Sequence, residues 1–459
     1  MSVEVIVLAA GKGTRMRSED AKVLNKAAGR SLLDWVLVAA RVLDPREVTV
    51  VVGHQAETVA ATLATDVSSV IQNPQHGTGH AAAVGMGNLK DHTGTIVVIP
   101  GDMPLITGQA LIDLVAHHRE TGAVATVMTV DLGDPGGYGR IVRDDFGVRS
   151  IVEERDATPD QKMITEVNTS VYVFDGTLLG DALSAITPDN SQGEYYLTDV
   201  VEFFVGDGKT VSALSVPPEM GIGVNTHRQL AEVAGILRAR INADLLDSGV
   251  WMLDPSRVYI DADVTVEPGA KIYPEVLLSG ATSVGPGAVV GPNVQAENCE
   301  IGPGAVVKQA VMIEAVVGRD ALVGPFAYLR PGAVLERGAK VGTYVEIKGS
   351  TVGAGSKVPH LSYVGNATIG EKTNIGAGTI TVNYDGYAKY STTIGDRVRI
   401  GSDTMLIAPV HVGDDAVTGA GSVITQDVPD GALGVSRDPQ RNIDGYAEKR
   451  RKRAKRESD

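Results

Sequence analysis

The chain has two regions that differ in the period of their hydrophobic residues. In the first half, short apolar runs rich in β-branched residues predict buried strands at residues 3–8, 48–52, 95–99, 123–129 and 170–174. Amphipathic segments lie between them and predict helices, for example at residues 32–43 and 109–120. Alternating strands and helices are typical of an α/β domain with a mainly parallel sheet, in which binding sites lie at the carboxyl ends of the strands.

A long amphipathic segment follows this domain. Apolar residues recur at steps of three and four from Leu230 to Leu245, which predicts a helix over residues 228–247. Ser248 and Gly249 come next and suit the end of a helix. We interpret this helix as the connector between two domains.

From Ile260 the apolar period becomes six. The repeat begins Ile260, Val266, Ile272, Leu278, Val284, Val290, continues after a one-residue reset with Ile301, Val307, Ile313, and resumes from Val317, Val352, Ile369 and Ile394. Six is the period of the hexapeptide β-helix, in which short parallel strands stack into a prism and one apolar residue per hexad fills the interior. An ordinary Gly-rich all-β domain would not keep this period from residue 260 to residue 424.

Two features of the repeat bear on function. Residues 381–393 interrupt it and should project as a loop, a common place for functional residues on a rigid scaffold. The flat faces of such a solenoid can also be buried against copies of themselves, and its ends need caps, one of which the preceding helix can supply.

Composition excludes several classes of protein. Of 459 residues 43% are hydrophobic, so the chain is not disordered. The single cysteine, Cys299, excludes a disulfide framework and a cysteine-based zinc site. No apolar run approaches the ~18 residues of a membrane helix. The first apolar run contains Glu4 and follows no basic segment, so we expect no signal peptide and a cytoplasmic location.

The charge is acidic but uneven. A net charge of −15 argues against a general nucleic-acid binder. Residues 449–456 hold seven of the 41 basic residues, which leaves 34 basic and 54 acidic residues in positions 1–448. We expect this basic end to be solvated and disordered rather than a nucleic-acid arm.

The first predicted strand runs into a glycine-rich turn, LAAGKGTRM. Such a turn presents backbone N–H groups to phosphates. It is neither a P-loop nor a dinucleotide fingerprint, because Met16 stands where the third glycine of the fingerprint belongs. With Arg15 and Lys22 close behind, it indicates a triphosphate cradle; the alternative is a structural turn with two solvated cations.

This turn and Lys22-Val23-Leu24 resemble the opening of sugar-1-phosphate nucleotidylyltransferases. Joined to a hexapeptide β-helix, the chain resembles, from residue 3 to about residue 446, the bacterial bifunctional N-acetylglucosamine-1-phosphate uridylyltransferase/glucosamine-1-phosphate N-acetyltransferases. The resemblance implies a Rossmann-like uridylyltransferase domain at residues 1–227 and a linker helix at 228–249. A left-handed parallel β-helix with acetyltransferase activity follows at 250–436, and a tail at 437–459.

The resemblance also implies the residues of the first site. Arg15 and Lys22 would be catalytic, and Asp102 and Asn225 would hold Mg²⁺, which prefers hard oxygen ligands. A lone Asp in a loop is more often structural, so Asp102 depends on its context. UTP and the UDP-sugar would contact Leu8, Ala9, Gly11, Gly13, Lys22, Gln72, Gln75, Gly77, Thr78, Gly139, Glu153, Asn168 and Asn225.

The second implied site lies in the repeat, with His360 as general base for acetyl transfer. An isolated His is more often structural, and here the nearby cations favour catalysis. The sugar phosphate would contact Arg330, Lys348, Tyr363 and Asn374, and acetyl-CoA would contact Asn383, Tyr384, Ser402, Ala420 and Arg437. Asn383 and Ser402 would orient His360 or the thioester. We expect Cys299 to be structural, and Tyr446 stands where related bacteria have a Trp.

The function implied is a two-step synthesis of UDP-N-acetylglucosamine from glucosamine-1-phosphate, acetyl-CoA and UTP, by a homotrimer without nucleic-acid or membrane partners. One alternative keeps the nucleotidylyltransferase and treats the coil as a trimerisation or regulatory module. Another, a catalytically dead sensor, is disfavoured because Arg15, Lys22, Asp102 and Asn225 are all present.

Overall fold

A computed structural model describes residues 2–17, 20–90, 92–145 and 147–458. The chain forms two compact units, Met1–Ile241 and Asn242–Asp459. The division falls inside a helix, His227–Asp247, where residues 228–247 were predicted to be helical. None of the helices in the described ranges combines the length and the apolar character that a membrane span needs.

The first unit is built on a nine-stranded sheet. Its strands, with a separate two-stranded pair at β2 and β3, are β1 (Val3–Ala9), β2 (Lys26–Ala27), β3 (Arg30–Ser31), β4 (Glu47–Val52), β5 (Ser68–Ile71), β6 (Thr95–Pro100), β7 (Ala125–Asp131), β8 (Arg140–Asp144), β9 (Gly147–Val152), β10 (Glu166–Asp175) and β11 (Val211–Ser215). The order is β11-β7-β10-β6-β1-β4-β5, with β8 paired to β10 and to β9. The predicted mainly parallel sheet is confirmed, since β1 pairs parallel with β4 and β6 and only β10 enters the main path antiparallel.

The helices of the chain are α1 (Leu32–Arg41), α2 (Ala56–Ala60), α3 (Thr78–Asn88), α4 (Gly108–Thr121), α5 (Gly176–Ala185), α6 (Asp199–Gly206), α7 (His227–Asp247) and α8 (Tyr446–Ser458). Single 3₁₀ turns occur at Thr14–Met16, Lys22–Leu24, Gln161–Met163, Pro218–Gly221 and Pro255–Arg257. Alternate residues of β1 face opposite ways, so Val5 packs with α1 and α4 while Ile6 packs with α3, α5 and α6. Helices on both faces bury the sheet, as the strand–helix alternation predicts.

Strand β10 is longer than the predicted run at residues 170–174. Its first residues are polar, yet they pair with β7 and β8, and backbone pairing rather than apolar content makes them strand. A register shift between Asn168 and Tyr172, with Ser170 at φ 63°, marks a bulge there. Because β10 runs antiparallel, the start of this strand lies at the edge where the parallel strands end.

The second unit contains a parallel β-helix. Its chain visits three sheets in turn, and each strand pairs in parallel with strands of the adjacent coils. The first coil sheet contains Trp251–Met252, Lys271–Ile272, Val289–Val290, Val306–Val307, Leu322–Val323, Lys340–Thr343, Lys357–His360, Asn374–Ile375, Arg399–Ile400, Val417–Thr418 and Leu433–Gly434. The second contains Val258–Ile260, Val276–Ser279, Val294–Glu297, Ala310–Ile313, Ala327–Leu329, Glu346–Lys348, Tyr363–Gly365, Ile380–Val382, Met405–Ile407 and Val423–Ile424. The third contains Thr265–Val266, Ser283–Val284, Glu300–Ile301, Val316–Val317, Val334–Leu335, Thr351–Val352, Ala367–Ile369, Thr392–Ile394 and Val410–Val412.

The six-residue repeat correctly predicts the interior of the coil with one exception. Ile313 was placed inside, but Met312 is the buried residue, at 1% exposure, and it pairs with Ala296 and Leu329. The prediction was wrong by one position because the coil from Ala296 to Met312 is shorter than a full three hexads, which moves the inward position toward the N-terminus.

The C-terminal end also differs from the expectation of disorder. Helix α8 covers residues 446–458, with its residues 446–457 all exposed. Two ion pairs at four-residue spacing, Glu448–Lys452 at 2.7 Å and Arg453–Glu457 at 2.8 Å, support the helix despite its like charges. The expectation that this segment is solvated agrees with its exposure.

Candidate active sites

The first candidate site is a cavity of about 1220 Å³ in the first unit. It lies where β1, β5 and β6 end, because the carboxyl ends of parallel strands meet at one edge of a sheet. Every residue of the predicted nucleotide and sugar set except Gly13 lines this cavity. Gly13 instead packs against Lys22, since a Cβ at Gly13 would lie 2.7 Å from the Cβ of Lys22.

The phosphate end of the cavity is a cluster of charged and amide groups. The ammonium of Lys22 forms an ion pair with Asp102 and donates to Oδ1 of Asn225 at 3.2 Å. Arg15 donates to the same Oδ1 at 2.9 Å. The two predicted metal ligands and the two predicted catalytic cations thus meet at one point, with Asn225 more than 200 positions from Arg15 and Lys22 in sequence.

The first turn of α7 holds Asn225 in this cluster. Its backbone N–H donates to Oε1 of Gln229 at 2.9 Å, and the N–H of Gln229 donates to Oγ1 of Thr226 at 3.2 Å. Thr226 thus caps the helix in a Thr-x-x-Gln motif, in which Gln229 accepts from Asn225, one residue before the position that a capping box uses. Gln229 was not among the predicted site residues, although the motif is visible in the sequence.

The predicted base-reading segment is tied to the phosphate turn. Gln75 donates to the carbonyl of Ala10 at 2.6 Å, and the nearly buried Gln72 donates to the carbonyl of Gly77 at 2.9 Å. Gly77 has φ 105°, and a Cβ there would lie 2.6 Å from the carbonyl oxygen of Tyr195, so only glycine fits. Oγ1 of Thr78 accepts from the N–H of Leu197 at 3.0 Å. Much of this segment is therefore held by internal hydrogen bonds before any ligand binds.

The predicted sugar residues also line the cavity and contact one another. The carbonyl of Gly139 accepts from the N–H of Asn168 at 2.8 Å, and the Asn168 side chain donates to the hydroxyl of Tyr172 at 2.7 Å. A Cβ at Gly139 would lie 3.5 Å from the Glu153 carboxylate. Burial raises the pKa of Glu153, while a 3.4 Å hydrogen bond from Thr198 opposes the rise. The sequence assigned no role to Thr198, although residues 194–199 resemble the family.

A second cavity, of about 730 Å³, shares Glu153 and lies beside α6. Its lining is acidic, with Asp156, Asp199 and Glu202. Burial, followed by the charges of Glu202 and Asp156, raises the pKa of Asp199 to about 6. In the described part of the chain, no group of three or more His, Cys, Asp or Glu side chains is arranged to hold a metal ion.

The second candidate site begins with a group of cations on the coil. Arg330 pairs with Glu346 at 2.8 Å, and that hydrogen bond raises the pKa of Arg330. A hydrogen bond with Lys389 lowers the pKa of Lys348, and the charges of Lys389 and Arg330 add to this effect. Three like charges held this close favour an anionic ligand. Lys389 lies in the projecting loop and was not assigned a role in the predicted site.

The remaining coil residues are spread over its surface. His360 ends the strand Lys357–His360 and is exposed, whereas Tyr363 is half-buried on the second coil sheet. Asn374 is exposed and pairs with Lys357 in the first coil sheet. The structure therefore does not bring these three into one enclosed pocket within a single chain.

The predicted acetyl-CoA residues lie at and beyond the loop. The side chain of Asn383 is buried and donates to Oδ1 of Asn366 at 2.7 Å, so in the single chain it does not orient His360. Tyr384 is 56% exposed on the projecting segment, which confirms the loop predicted from the interruption of the repeat. Arg437 donates to the carbonyl of Ala420 at 2.7 Å, and the carbonyl of Ser402 accepts from Gly421 at 2.8 Å, so these residues sit on successive coils.

Cys299 lies inside the coil and is 2% exposed. Burial raises the pKa of its thiol, which disfavours the reactive thiolate. This burial agrees with the structural role expected from the sequence.

Two family models match the chain. Residues 5–163 match the MobA-like NTP transferase domain, and residues 391–426 match the bacterial transferase hexapeptide family, a run of six repeats. The first match covers the strand-end residues of the cavity up to Glu153. The second falls on the coils that carry Ser402 and Ala420.

Curated relatives match over nearly the whole length. The Bifunctional protein GlmU of Mycolicibacterium vanbaalenii is 49% identical over 97% of this chain and 93% of its own. That of Streptomyces avermitilis is also 49% identical, over 97% and 94%, and that of Mycobacterium bovis is 47% identical, over 97% and 92%. A solved putative glucose-1-phosphate thymidylyltransferase from Bacillus anthracis covers 52% of this chain and 96% of its own, with 17% identity and a TM-score of 0.43, too low to support an inference.

Proposed function

The chain belongs to the family of bifunctional GlmU proteins, and we propose that each of its two units carries one of the two reactions. It makes UDP-N-acetylglucosamine by acetyl transfer from acetyl-CoA to glucosamine-1-phosphate, followed by uridylyl transfer from UTP with release of pyrophosphate. Residues 1–227 are the uridylyltransferase domain, 228–249 the linker helix and 250–436 the acetyltransferase domain. The observation that carries the assignment is the meeting of Lys22, Arg15, Asp102 and Asn225 in one cavity.

In the first unit, UTP lies along the cavity with its phosphates at the glycine-rich turn. The phosphate oxygen of N-acetylglucosamine-1-phosphate attacks the α-phosphorus of UTP, and pyrophosphate leaves. Such a transfer depends mainly on positioning and on neutralising charge. Arg15 and Lys22 supply fixed positive charge at this end, and Glu153 and Asn168 hold the sugar at the other.

The carboxylate of Asp102 and the amide oxygen of Asn225 also fit a magnesium ion. Both oxygens contact the ammonium of Lys22, so they already surround a position that favours a cation. Mg²⁺ prefers oxygen ligands and retains several waters, so two protein ligands suffice. The bound ion would neutralise phosphate charge. Lys22 would then add its positive charge to that of the ion at the phosphates.

In the coil, His360 takes a proton from the amine of glucosamine-1-phosphate while the amine attacks the thioester carbonyl of acetyl-CoA. The C–N bond forms, the C–S bond breaks, and coenzyme A leaves as its thiol after protonation. Arg330 and Lys348 bind the sugar phosphate, and the Lys389 ammonium beside Lys348 supports them. A backbone N–H near Asn383 and Tyr384 would stabilise the oxyanion.

We propose that the acetyl site is completed by a second copy of the chain in a homotrimer. The outward positions of the second coil sheet form an apolar row with 37–42% exposure: Tyr259, Leu277, Val311 and Tyr328, interrupted only by Gln295. At the adjoining corner, Phe326 and Tyr344 are exposed, stack with ring centroids 5.4 Å apart, and both have φ 56°. Bulky residues in the left-handed region cost about 1 kcal/mol each, and burial against a partner offsets this cost.

A substrate-omission assay tests the two-site assignment. With UTP, acetyl-CoA and glucosamine-1-phosphate together, the protein should form UDP-N-acetylglucosamine, coenzyme A and pyrophosphate. Omitting UTP should leave coenzyme A release intact, and omitting acetyl-CoA should abolish pyrophosphate release unless N-acetylglucosamine-1-phosphate is supplied. If coenzyme A release failed while uridylyl transfer persisted, the coil would be a passive module.

We also propose that both reactions take place in the cytoplasm, because their substrates are UTP, acetyl-CoA and sugar phosphates.

A further inference from the structure

Arg140 is a buried cation that the proposed reactions do not use. Only 2% of its surface is exposed, which places it among the largest fully buried side chains of the described chain. Its Nε is buried without a hydrogen-bond partner within the described residues. A buried charge is costly unless it is paired, so the fold retains this residue for the contacts of its other nitrogens.

Those contacts converge on one loop, the glycine loop, defined as residues 133–139. Nη2 of Arg140 lies 2.7 Å from Oε2 of Glu154, and Nη1 donates to the carbonyl of Tyr138. The same Oε2 of Glu154 accepts from the backbone N–H of Gly137 at 3.3 Å. The ion pair therefore holds two consecutive residues of the loop: Glu154 binds Gly137, and Arg140 binds Tyr138.

The loop needs such an anchor because its composition favours disorder. Four of its seven residues are glycine, and none belongs to a helix or strand. Glycine loses the most conformational freedom on ordering, so a fixed loop of this composition requires compensating bonds. Inside the loop itself two long hydrogen bonds are present: Asp134 accepts from the N–H of Gly136 at 3.2 Å, and the carbonyl of Pro135 accepts from the N–H of Tyr138 at 3.3 Å.

The held loop forms one wall of the first cavity. Gly137, Tyr138 and Gly139 all line it. Burial raises the pKa of the Tyr138 hydroxyl, and the charge of Asp102 adds to the rise. Gly139 is bonded to Asn168 and adjoins Glu153. A displaced loop would therefore move the sugar contacts at Asn168 and Glu153.

We propose that the Arg140–Glu154 ion pair is a latch that holds the glycine loop against the nucleotide-sugar cavity, and that Arg140 is a positioning residue for the sugar phosphate. The inference rests on the proposed uridylyl transfer in this cavity. The guanidinium lowers the pKa of Glu154, so the pair stays ionised into the acidic range. Uracil and ribose contacts lie at the other end, near Gln72 and Gln75, and do not depend on the latch.

The test measures steady-state uridylyl transfer by Arg140→Met, varying each substrate at a saturating level of the other. KM for N-acetylglucosamine-1-phosphate should rise about tenfold or more, while KM for UTP stays within about twofold. Arg140→Lys, which keeps the charge but cannot reach Glu154 and Tyr138 together, should fall between wild type and Arg140→Met. Hydrogen exchange of the Gly137 amide should accelerate in the same order.

Arg143→Met is the matched control. Arg143 lies on the same strand, β8, and pairs with Glu166 at 2.7 Å through two nitrogens without touching the loop. It should leave both KM values and the exchange of the loop near wild type. Glu154→Gln breaks the same ion pair and keeps the test valid if Arg140→Met fails to fold. Glu154 is 34% exposed, and a glutamine there can still accept a hydrogen bond from the Gly137 N–H. A rise of about threefold in the sugar-phosphate KM is expected for it.

Two failures are distinguishable. If wild-type protein did not join UTP to N-acetylglucosamine-1-phosphate, the proposed function itself would be wrong. If wild type were active and acetyl transfer intact in every variant, yet Arg140→Met and Glu154→Gln kept the wild-type KM for the sugar phosphate, the latch would be refuted. Equal increases in both KM values, or the same effect in Arg143→Met, would also refute it, because they indicate general loosening.

Discussion

The two units place their functional groups in opposite ways. The first unit encloses its groups: the side chains of Lys22 and Asp102 are 13% and 17% exposed, and they meet Asn225 inside a cavity of one chain. The coil displays its groups: His360, Asn374 and Ser402 are all exposed on separate strands and corners. A wound sheet brings distant loops to one edge, whereas a solenoid keeps residues near their sequence neighbours. The difference agrees with the proposal that one chain forms a whole nucleotidyl site and that a second copy completes the acetyl site.

The largest effect is expected when the acetyl site in the coil is disabled and the nucleotidyl site is left intact. His360→Ala should lower acetyl transfer by about 10²–10⁴-fold, because the amine loses its general base, and leave uridylyl transfer unchanged. Coenzyme A release and pyrophosphate release measure the two reactions on one sample. Asp102→Asn is the reciprocal variant and should spare acetyl transfer. Loss of both reactions in either variant would contradict two independent sites.

The dependence on a second copy can be tested on the apolar row. Leu277→Glu combined with Val311→Glu should dissociate the oligomer, because buried unpaired charges are costly at an interface. Acetyl transfer should then fall about 100-fold while uridylyl transfer remains. Light scattering gives the mass. Leu322→Glu, equally exposed on the first coil sheet, is the control. A monomer that still acetylates would show that a single coil suffices.

A smaller effect tests the loop lysine. Lys389→Ala should raise KM for glucosamine-1-phosphate about tenfold, the range expected for one charge-assisted contact. KM for acetyl-CoA should change little. Lys340→Ala removes an exposed lysine from the first coil sheet and should have no effect. If both variants behaved alike, Lys389 would contribute only to the general surface charge.

The smallest effect concerns stability and is specific to the first unit. The pKa of Asp199 is raised to about 6 by burial, so its ionised form is less favourable in the folded unit than in the unfolded chain. This cost is present above pH 6 and disappears as the pH falls from 6 toward 4. Asp199→Asn should therefore stabilise the unit by about 1 kcal/mol at pH 8, allowing for its partial exposure, and by nothing at pH 4.

Thermal unfolding at pH 8 and at pH 4 measures this difference. Asp181→Asn, at an exposed position of α5, is the control and should show no pH-dependent gain. A gain of equal size at both pH values would mean that Asp199 acts through its shape or its position at the start of α6 rather than through its charge.

The sequence predicted the fold in most respects, and its errors have local causes. Strands, helices and coil interior follow from apolar periodicity because that pattern is imposed by burial. Ile313 failed because one coil is shorter than the repeat, and Met312 takes the interior position. The basic end was expected to be disordered because like charges repel, but pairs such as Glu448–Lys452 support a helix.

The candidate sites were predictable only where motifs are local. The turn containing Arg15 and the segment containing Gln75 could be recognised because neighbouring residues act together. Lys389 lies in the loop that the sequence predicts, and Thr198 lies in a segment that resembles the family. Their partners, Lys348 and Glu153, could not be inferred because each is far along the chain. Arg140 follows Gly139, a predicted sugar contact, but the sequence does not reveal that its side chain is buried.

The sequence by itself determined the two architectures and the chemical types of residue at each site. The period of the hydrophobic residues specifies a strand, a helix or a β-helix, and the glycine-rich turns specify where the backbone can approach a phosphate. Only the tertiary structure decided which of these residues meet. Lys22 contacts Asn225, and Arg140 contacts the glycine loop, only when the chain is folded. The reason is physical: burial acts on each residue through its own side chain, whereas a hydrogen bond or ion pair needs two partners whose distance only the fold determines.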